Sequence, residues 1–220
     1  MSENKVKAPR ALYLVVATVL ILSGLSQWAF LKYGSSNDNT RYRDDGISAT
    51  ILHEASPITA FSLVDHNGTA FNQSNLVGKW SLLSFGYTHC PDICPTTLKT
   101  LDHVDQMLHK MNNAIIPQTI FITMDPERDD VTTLAEYIPW FNKDFIGLTG
   151  TAAQIAALTK DLGILNIKRE AVAGDKGYLI DHSVTIMLID DKGRLRALSS
   201  APHDAQTIVD DFIKITKKFN

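Results

Sequence analysis

Cysteine is nearly missing from this chain: Cys90 and Cys94 are the only two in 220 residues. That scarcity rules out a disulfide-knit scaffold, because one bridge across so short a segment would constrain almost nothing. Basic tracts interleaved with aromatics are missing too. Beyond Lys32 there are 17 Lys and Arg against 23 Asp and Glu, a net charge of −6. Nucleic acid is therefore not an expected partner. There is no internal repeat, and the one biased stretch is YGSSNDNTRYRDDGISAT, Tyr33 to Thr50. No arginine stands around the cysteines, which argues against a thiol peroxidase. With 45% hydrophobic and 20% charged residues, what remains is an ordinary globular domain plus something extra.

The extra piece lies at the front. Ala11 to Leu31 is 21 residues without a charge, long enough to cross the apolar part of a bilayer. Lys5, Lys7 and Arg10 precede it against the single acid Glu3, which marks that flank as cytoplasmic. A cleaved signal peptide is the rival reading. The run exceeds a usual signal core, and the imperfect site at Ser23 to Ser26 is followed by more apolar residues. The expected organisation is a cytoplasmic N-terminus over residues 1–10, a transmembrane anchor over 11–31, a flexible tether over 32–50 and a folded domain over 51–220. The domain then faces the periplasm from the bacterial inner membrane.

Within the domain, Asn67-Gly68 between two short apolar runs predicts a hairpin. Leu82, Leu83 and Phe85 predict a buried strand. Leu98, Leu101, Val104 and Leu108, spaced by three and four, predict a helix straight after it. Thr119 to Met124 predicts a strand stopped at Asp125-Pro126, and Asp130 to Ile138 a helix stopped by Pro139. A strand at Phe145 to Leu148 and a helix over Ala152 to Leu162, capped by Thr151, follow. A strand over Ile164 to Lys168, a polar loop from Arg169 to Gly177, a hairpin turning at Asp190 to Gly193, and an amphipathic helix from Asp204 to Lys217 complete the chain. Strands alternating with helices imply an α/β fold whose sheet is partly parallel and covered on both faces. The last hairpin supplies antiparallel edge strands. This is a thioredoxin-like arrangement, a mixed central sheet flanked by helices, with an N-terminal hairpin and insertions.

Both cysteines sit where the buried strand hands over to the helix. Unpaired N–H groups and the positive end of the helix dipole favour thiolate there. Pro91 and Pro95 suit a helix beginning, where a missing N–H costs nothing. If the helix starts by Cys90, the sulfurs share one face at i and i+4; otherwise the turn points both into one pocket. Two converging thiolates can close a disulfide, bind a soft metal, or do both. Seven histidines compete to be a third group. His103 and His109 belong to the helix surface, and His53, His66 and His203 to polar or turn segments. His89 adjoins Cys90, but neighbouring side chains diverge. His182 follows Asp181 just before the strand Val184 to Ile189. From the residues alone it stands equally well as a ligand or as a satisfied loop histidine.

Three blocks, FGYTHCPDICPTTL, MDPERD (Met124 to Asp129) and YLIDHS (Tyr178 to Ser183), resemble in order and spacing the Sco/SenC family. These are membrane-tethered copper-binding proteins with a thioredoxin-like domain that serve assembly of cytochrome c oxidase. The resemblance covers Pro57 to Phe219 and the anchor. It implies that Cys90, Cys94 and His182 hold one copper, as Cu(I) or Cu(II). It also implies that His89 and Asp92 belong to the cysteine loop, that Asp181 orients or supports the histidine, and that MDPERD is a structural and surface element beside the site. The implied function is a copper metallochaperone for the dinuclear copper centre of cytochrome c oxidase subunit II. Its partners would be that subunit, a copper chaperone as donor and a thiol–disulfide reductase. An extracytoplasmic thiol–disulfide oxidoreductase using the same cysteines is the alternative, so enzyme status stays open.

Overall fold

The strand β4 (Ser81–Gly86), buried at all six positions, is the axis of the sheet. A strand covered on both faces needs such an uninterrupted buried run. A computed structural model describes residues 21, 23, 27, 28, 46–170 and 177–219. Residues 41–220 form one compact unit. Residues 21, 23, 27 and 28 are helical, and the rest of the expected anchor lies outside the described residues, as does most of the expected tether. Among the described residues no helix is long and apolar enough to cross a membrane.

In chain order the domain runs β1 (Thr50–Pro57), β2 (Ser62–Asp65), β3 (Ala70–Asn72), β4, α1 (Ile93–His109), β5 (Gln118–Thr123), α2 (Val131–Tyr137), β6 (Ile146–Thr149), α3 (Ala152–Asp161), β7 (Asn166–Glu170), β8 (Tyr178–His182), β9 (Thr185–Ile189), β10 (Arg194–Ser200) and α4 (Ala205–Phe219). Eight strands form one sheet in the order β1-β10-β9-β4-β5-β6-β2-β3. β4, β5 and β6 are parallel, and β9 joins β4 antiparallel. The mixed sheet with helices over it is the thioredoxin-like fold expected. On one face Leu98, Leu101, Val104 and Leu108 of α1 pack with Phe212 and Ile215 of α4 over Leu82 and Phe121. On the other, Ile155 and Leu158 of α3 join Leu83, Phe85, Ile120 and Ile122, and both cysteines belong to this second core.

Three expectations are corrected. The hairpin β9–β10 is not at the edge; Ile186 to Ile189 are buried, and β1 covers β10 as the outer strand. β1 suits an edge, with a register irregularity between Ile51 and Ser56 that blunts further pairing. Tyr178 to His182, given no secondary structure from sequence, is a strand paired with β7 in a separate two-stranded sheet. The end of the expected tether is tied down. The buried carboxylate of Asp211 accepts from the Ser48 and Ala49 amides at 3.0 and 2.8 Å, holding Ile47 in the core.

Candidate metal centre

The cysteine loop leaves β4 at Gly86 and enters α1 at Ile93, with Asp92 as N-cap. Cys90 therefore lies ahead of the helix, and the turn, not an i, i+4 helical face, brings the two sulfurs together. The Asp92 side chain makes no capping bond. The amide of Cys94, second in the helix, donates instead to Cys90 Sγ at 3.5 Å. A sulfur thus takes the place that an Asp or Ser oxygen takes at ordinary helix starts. Gly86 is fixed by this packing: a Cβ there would stand 2.7 Å from Cys94 Sγ and 2.8 Å from the Phe121 ring.

His182 ends β8 and comes to the sulfurs from the other side. Its Nδ1 lies 3.1 Å from the Ser183 carbonyl oxygen, which can only accept, so Nδ1 carries the proton. The other nitrogen, Nε2, then presents its lone pair inward, 3.4 Å from Cys94 Sγ. One ligand atom each from Cys90, Cys94 and His182 lies within 4.8 Å of the others, and no other such group of three occurs among the described residues. Two sulfurs and an imidazole nitrogen form a soft, partly open donor set suited to copper, with zinc a competitor.

The two thiols are inequivalent. The Cys90 thiol is pushed down to about 4, first by the hydrogen bond from Cys94 and then by the Asp92 and Cys94 amides, against the cost of burial. The Cys94 thiol is pushed up by its bond to Cys90 and by burial. The pair therefore favours a single negative charge, with Cys90 the more acidic of the two. Cys90, 9% exposed against 3% for Cys94, is also the outer sulfur. It lines an open groove of about 480 Å³ walled by Pro95, Tyr137, Trp140 and Phe141.

The other residues singled out from sequence lie around this cluster. The His89 side chain is 56% exposed and turns toward Asp129, 4.0 Å away. Asp92 contributes its amide to Cys90, not its carboxylate. Asp181 pairs with Arg169 across the β7–β8 hairpin at 2.5 Å. Adjacent to His182 in a strand, it lies on the opposite face.

Sequence reasoning missed how Met124 to Asp129 is used. Asp125 and Asp129 are fully buried, not on the surface. Asp129 accepts from the Thr88 amide at 2.9 Å and from the Thr88 and Thr123 hydroxyls at 2.6 Å each, which anchors the cysteine loop. Asp125 accepts from the Tyr178 hydroxyl and from Arg128 Nε, and the Arg128 guanidinium lies 3.8 Å over the Tyr178 ring, which anchors the histidine hairpin. Density of acid around one proline and one arginine was the available signal.

Residues 51–217 match the family model described as SCO1/SenC. The chain belongs to the SCO1/SenC family. A SCO2-like protein of Rickettsia typhi is 45% identical over 135 residues, 61% of this chain and 66% of that one. This chain thus aligns with just under two thirds of that relative's length. The mitochondrial SCO2 homologue of Mus musculus is 33% identical over 200 residues, covering 89% of this chain and 75% of the other. The crystal structure of Arabidopsis thaliana ScoI with copper bound superposes with a TM-score of 0.68 at 33% identity, covering 72% of this chain and 97% of that one. Yeast Sco1 with copper bound gives 0.69 at 33% identity, covering 75% and 91%.

Proposed function

We propose that this SCO1/SenC domain is a copper metallochaperone that holds one copper through Cys90 Sγ, Cys94 Sγ and His182 Nε2. The copper is cargo, destined for the dinuclear centre of cytochrome c oxidase subunit II. The observation that carries this reading is the convergence of the three donor atoms within 4.8 Å. The copper-bound relatives with the same fold support the choice of metal. Cys90, the outer sulfur beside the groove, is where an acceptor's donor atoms meet the cargo, while Cys94 and His182 retain it. A copper chaperone as donor and a thiol–disulfide reductase that keeps the pair reduced complete the partner set. The domain works on the periplasmic side of the bacterial inner membrane, held there by the uncharged run over residues 11–31.

A second reading, thiol–disulfide exchange, draws on the low-lying Cys90 thiol beside its partner. Here Cys90 attacks and Cys94 resolves. The full-length chain, purified in detergent under reducing conditions without chelator, separates the two by metal content and copper-edge X-ray absorption. One copper per chain with a sulfur shell is expected, and neither Cys90→Ser nor Cys94→Ser should retain tight binding. Turnover of a model disulfide by a preparation that binds no copper would hand the site to the second reading.

A further inference from the structure

Tyr87 touches every arm of the site without supplying a ligand. Its carbonyl accepts the Cys90 amide at 3.2 Å, and its own amide faces the Cys94 sulfur. Its hydroxyl accepts the Ile180 amide at 3.3 Å, two residues before His182 in β8. Its ring stands edge-on to the His182 imidazole, centroids 6.1 Å apart and planes at 80°. At 2% exposure it has no room to swing.

This matters because of how the histidine is carried. β7 and β8 form their own two-stranded sheet, with no ladder to the eight-stranded one among the described residues. An isolated hairpin is marginally stable, so its position is set by whatever docks it. The Tyr178–Asp125 bond and the Lys168–Glu127 pair dock it onto the segment after β5. Tyr87 alone of these docking side chains also belongs to the cysteine loop. Beside the indirect link through Asp129 and Asp125, Tyr87 thus ties the histidine strand directly to the cysteine loop within one residue.

We propose that Tyr87 is a positioning residue that sets the stand-off of His182 from the two sulfurs and so tunes the site for copper(II) over copper(I). The inference rests on the copper reading above. Cu(I) is held adequately by two thiolates, whereas Cu(II) draws on the imidazole. A hairpin that drifts thus weakens Cu(II) selectively. Tyr87→Phe keeps the ring and leaves the buried Ile180 amide without its acceptor; Tyr87→Leu removes the ring as well.

The test is competition titration of Cu(I) and Cu(II) on the full-length protein, wild type, Tyr87→Phe and Tyr87→Leu, each with and without His182→Ala. Tyr87→Phe should weaken Cu(II) roughly tenfold, the size of a lost buried hydrogen bond, and Cu(I) by less than about threefold. The Cu(II) charge-transfer and EPR spectra should shift with it. In the His182→Ala background the Tyr87 effect should vanish. In the metal-free protein, hydrogen exchange at the Ile180 amide should quicken in Tyr87→Phe while the amides of β4 stay protected. Equal losses for both oxidation states, or a Tyr87→Phe effect that persists without His182, would overturn the proposal, as would an unchanged Ile180 exchange rate. A wild type that binds no copper would instead remove the copper reading, and the exchange measurement would still decide whether Tyr87 holds the hairpin. Should Tyr87→Leu fail to fold, Tyr87→Phe carries the test.

Discussion

Cys94 Sγ stands 3.4 Å from His182 Nε2, although the two residues are 88 positions apart in the chain. The sulfur is fixed by the first turn of α1 and the imidazole by the last residue of β8. Neither could find the other in an unfolded chain, so the site exists only as a product of folding.

Metal should therefore stabilise the fold, because ligand that binds only the native state shifts the unfolding equilibrium. At a hundredfold excess over its dissociation constant, Cu(I) should raise the melting temperature by about 5 to 10 °C. Thermal unfolding with and without Cu(I) under reducing conditions measures this. The shift should disappear in Cys94→Ser, and an equal shift there would mean that copper binds elsewhere.

The thiol pair should titrate as a unit with one charge at neutral pH. Cys90 is pushed down to about 4 chiefly by the bond from Cys94, while Cys94 is pushed up. Thiolate absorbance of the metal-free reduced protein at pH 7 should show one thiolate per chain. Cys94→Ala removes the donor and should move the Cys90 midpoint upward. The sign for stability follows from the unfolded thiol, which ionises near 8.5. Below that value the unfolded chain binds the proton that the folded Cys90 releases, so stability rises with pH. This contribution is full above about 8.5 and is lost as pH falls toward about 4. Cys90→Ser should flatten that slope, and a slope unchanged by the substitution would contradict the assignment.

Gly86→Ala should damage the site without replacing a ligand. The added methyl would lie 2.7 Å from Cys94 Sγ and 2.8 Å from Phe121, between two elements that cannot both yield. Overpacking of this kind costs about 1–3 kcal/mol. Denaturant unfolding should show that loss, and copper binding should weaken with it. An alanine variant of wild-type stability would mean that α1 shifts freely against β5.

Much of this was legible beforehand, and the losses have a common cause. The strand-to-helix placement of both cysteines, the parallel β4–β5–β6 unit and the three sequence blocks could be read because periodicity and local turn chemistry are encoded within a few residues. β8 could not be read that way. The strand expected over Ile164 to Lys168 overlaps β7, but YLIDH pairs only with that fully exposed strand and has no apolar alternation of its own to reveal it. The burial of Asp125 and Asp129 was hidden because, beside the local Arg128 and Thr123, their partners Tyr178 and Thr88 lie 53 and 41 positions away. Asp181 was expected to support the histidine; once β8 is a strand, its side chain belongs to the other face, with Arg169. Tyr87 went unread because its hydroxyl meets no neighbour in sequence; its partner Ile180 is 93 positions on.

His182 and His89 make opposite predictions, and that contrast tests the ligand set most sharply. His182 Nε2 points at Cys94 with its tautomer set by the Ser183 carbonyl, whereas the His89 ring is mostly solvent-exposed and bonded to Thr88. His182→Ala leaves the two cysteine sulfurs, which suffice for Cu(I) but, with two equivalents of Cu(II) each taking one electron, are oxidised to a disulfide as both coppers become Cu(I). Cu(II) affinity should fall by about a hundredfold or more, the loss of a direct ligand exceeding the 10–100-fold cost typical of disturbing an outer-shell partner. Cu(I) affinity should fall far less. His89→Ala should change neither beyond about twofold, as expected for an exposed side chain away from the ligands. Parallel titration of both oxidation states, with nitrogen hyperfine coupling in the Cu(II) EPR spectrum, reads the difference. A His182→Ala protein that keeps wild-type Cu(II) affinity and nitrogen coupling, while His89→Ala loses both, would move the third ligand to the cysteine loop.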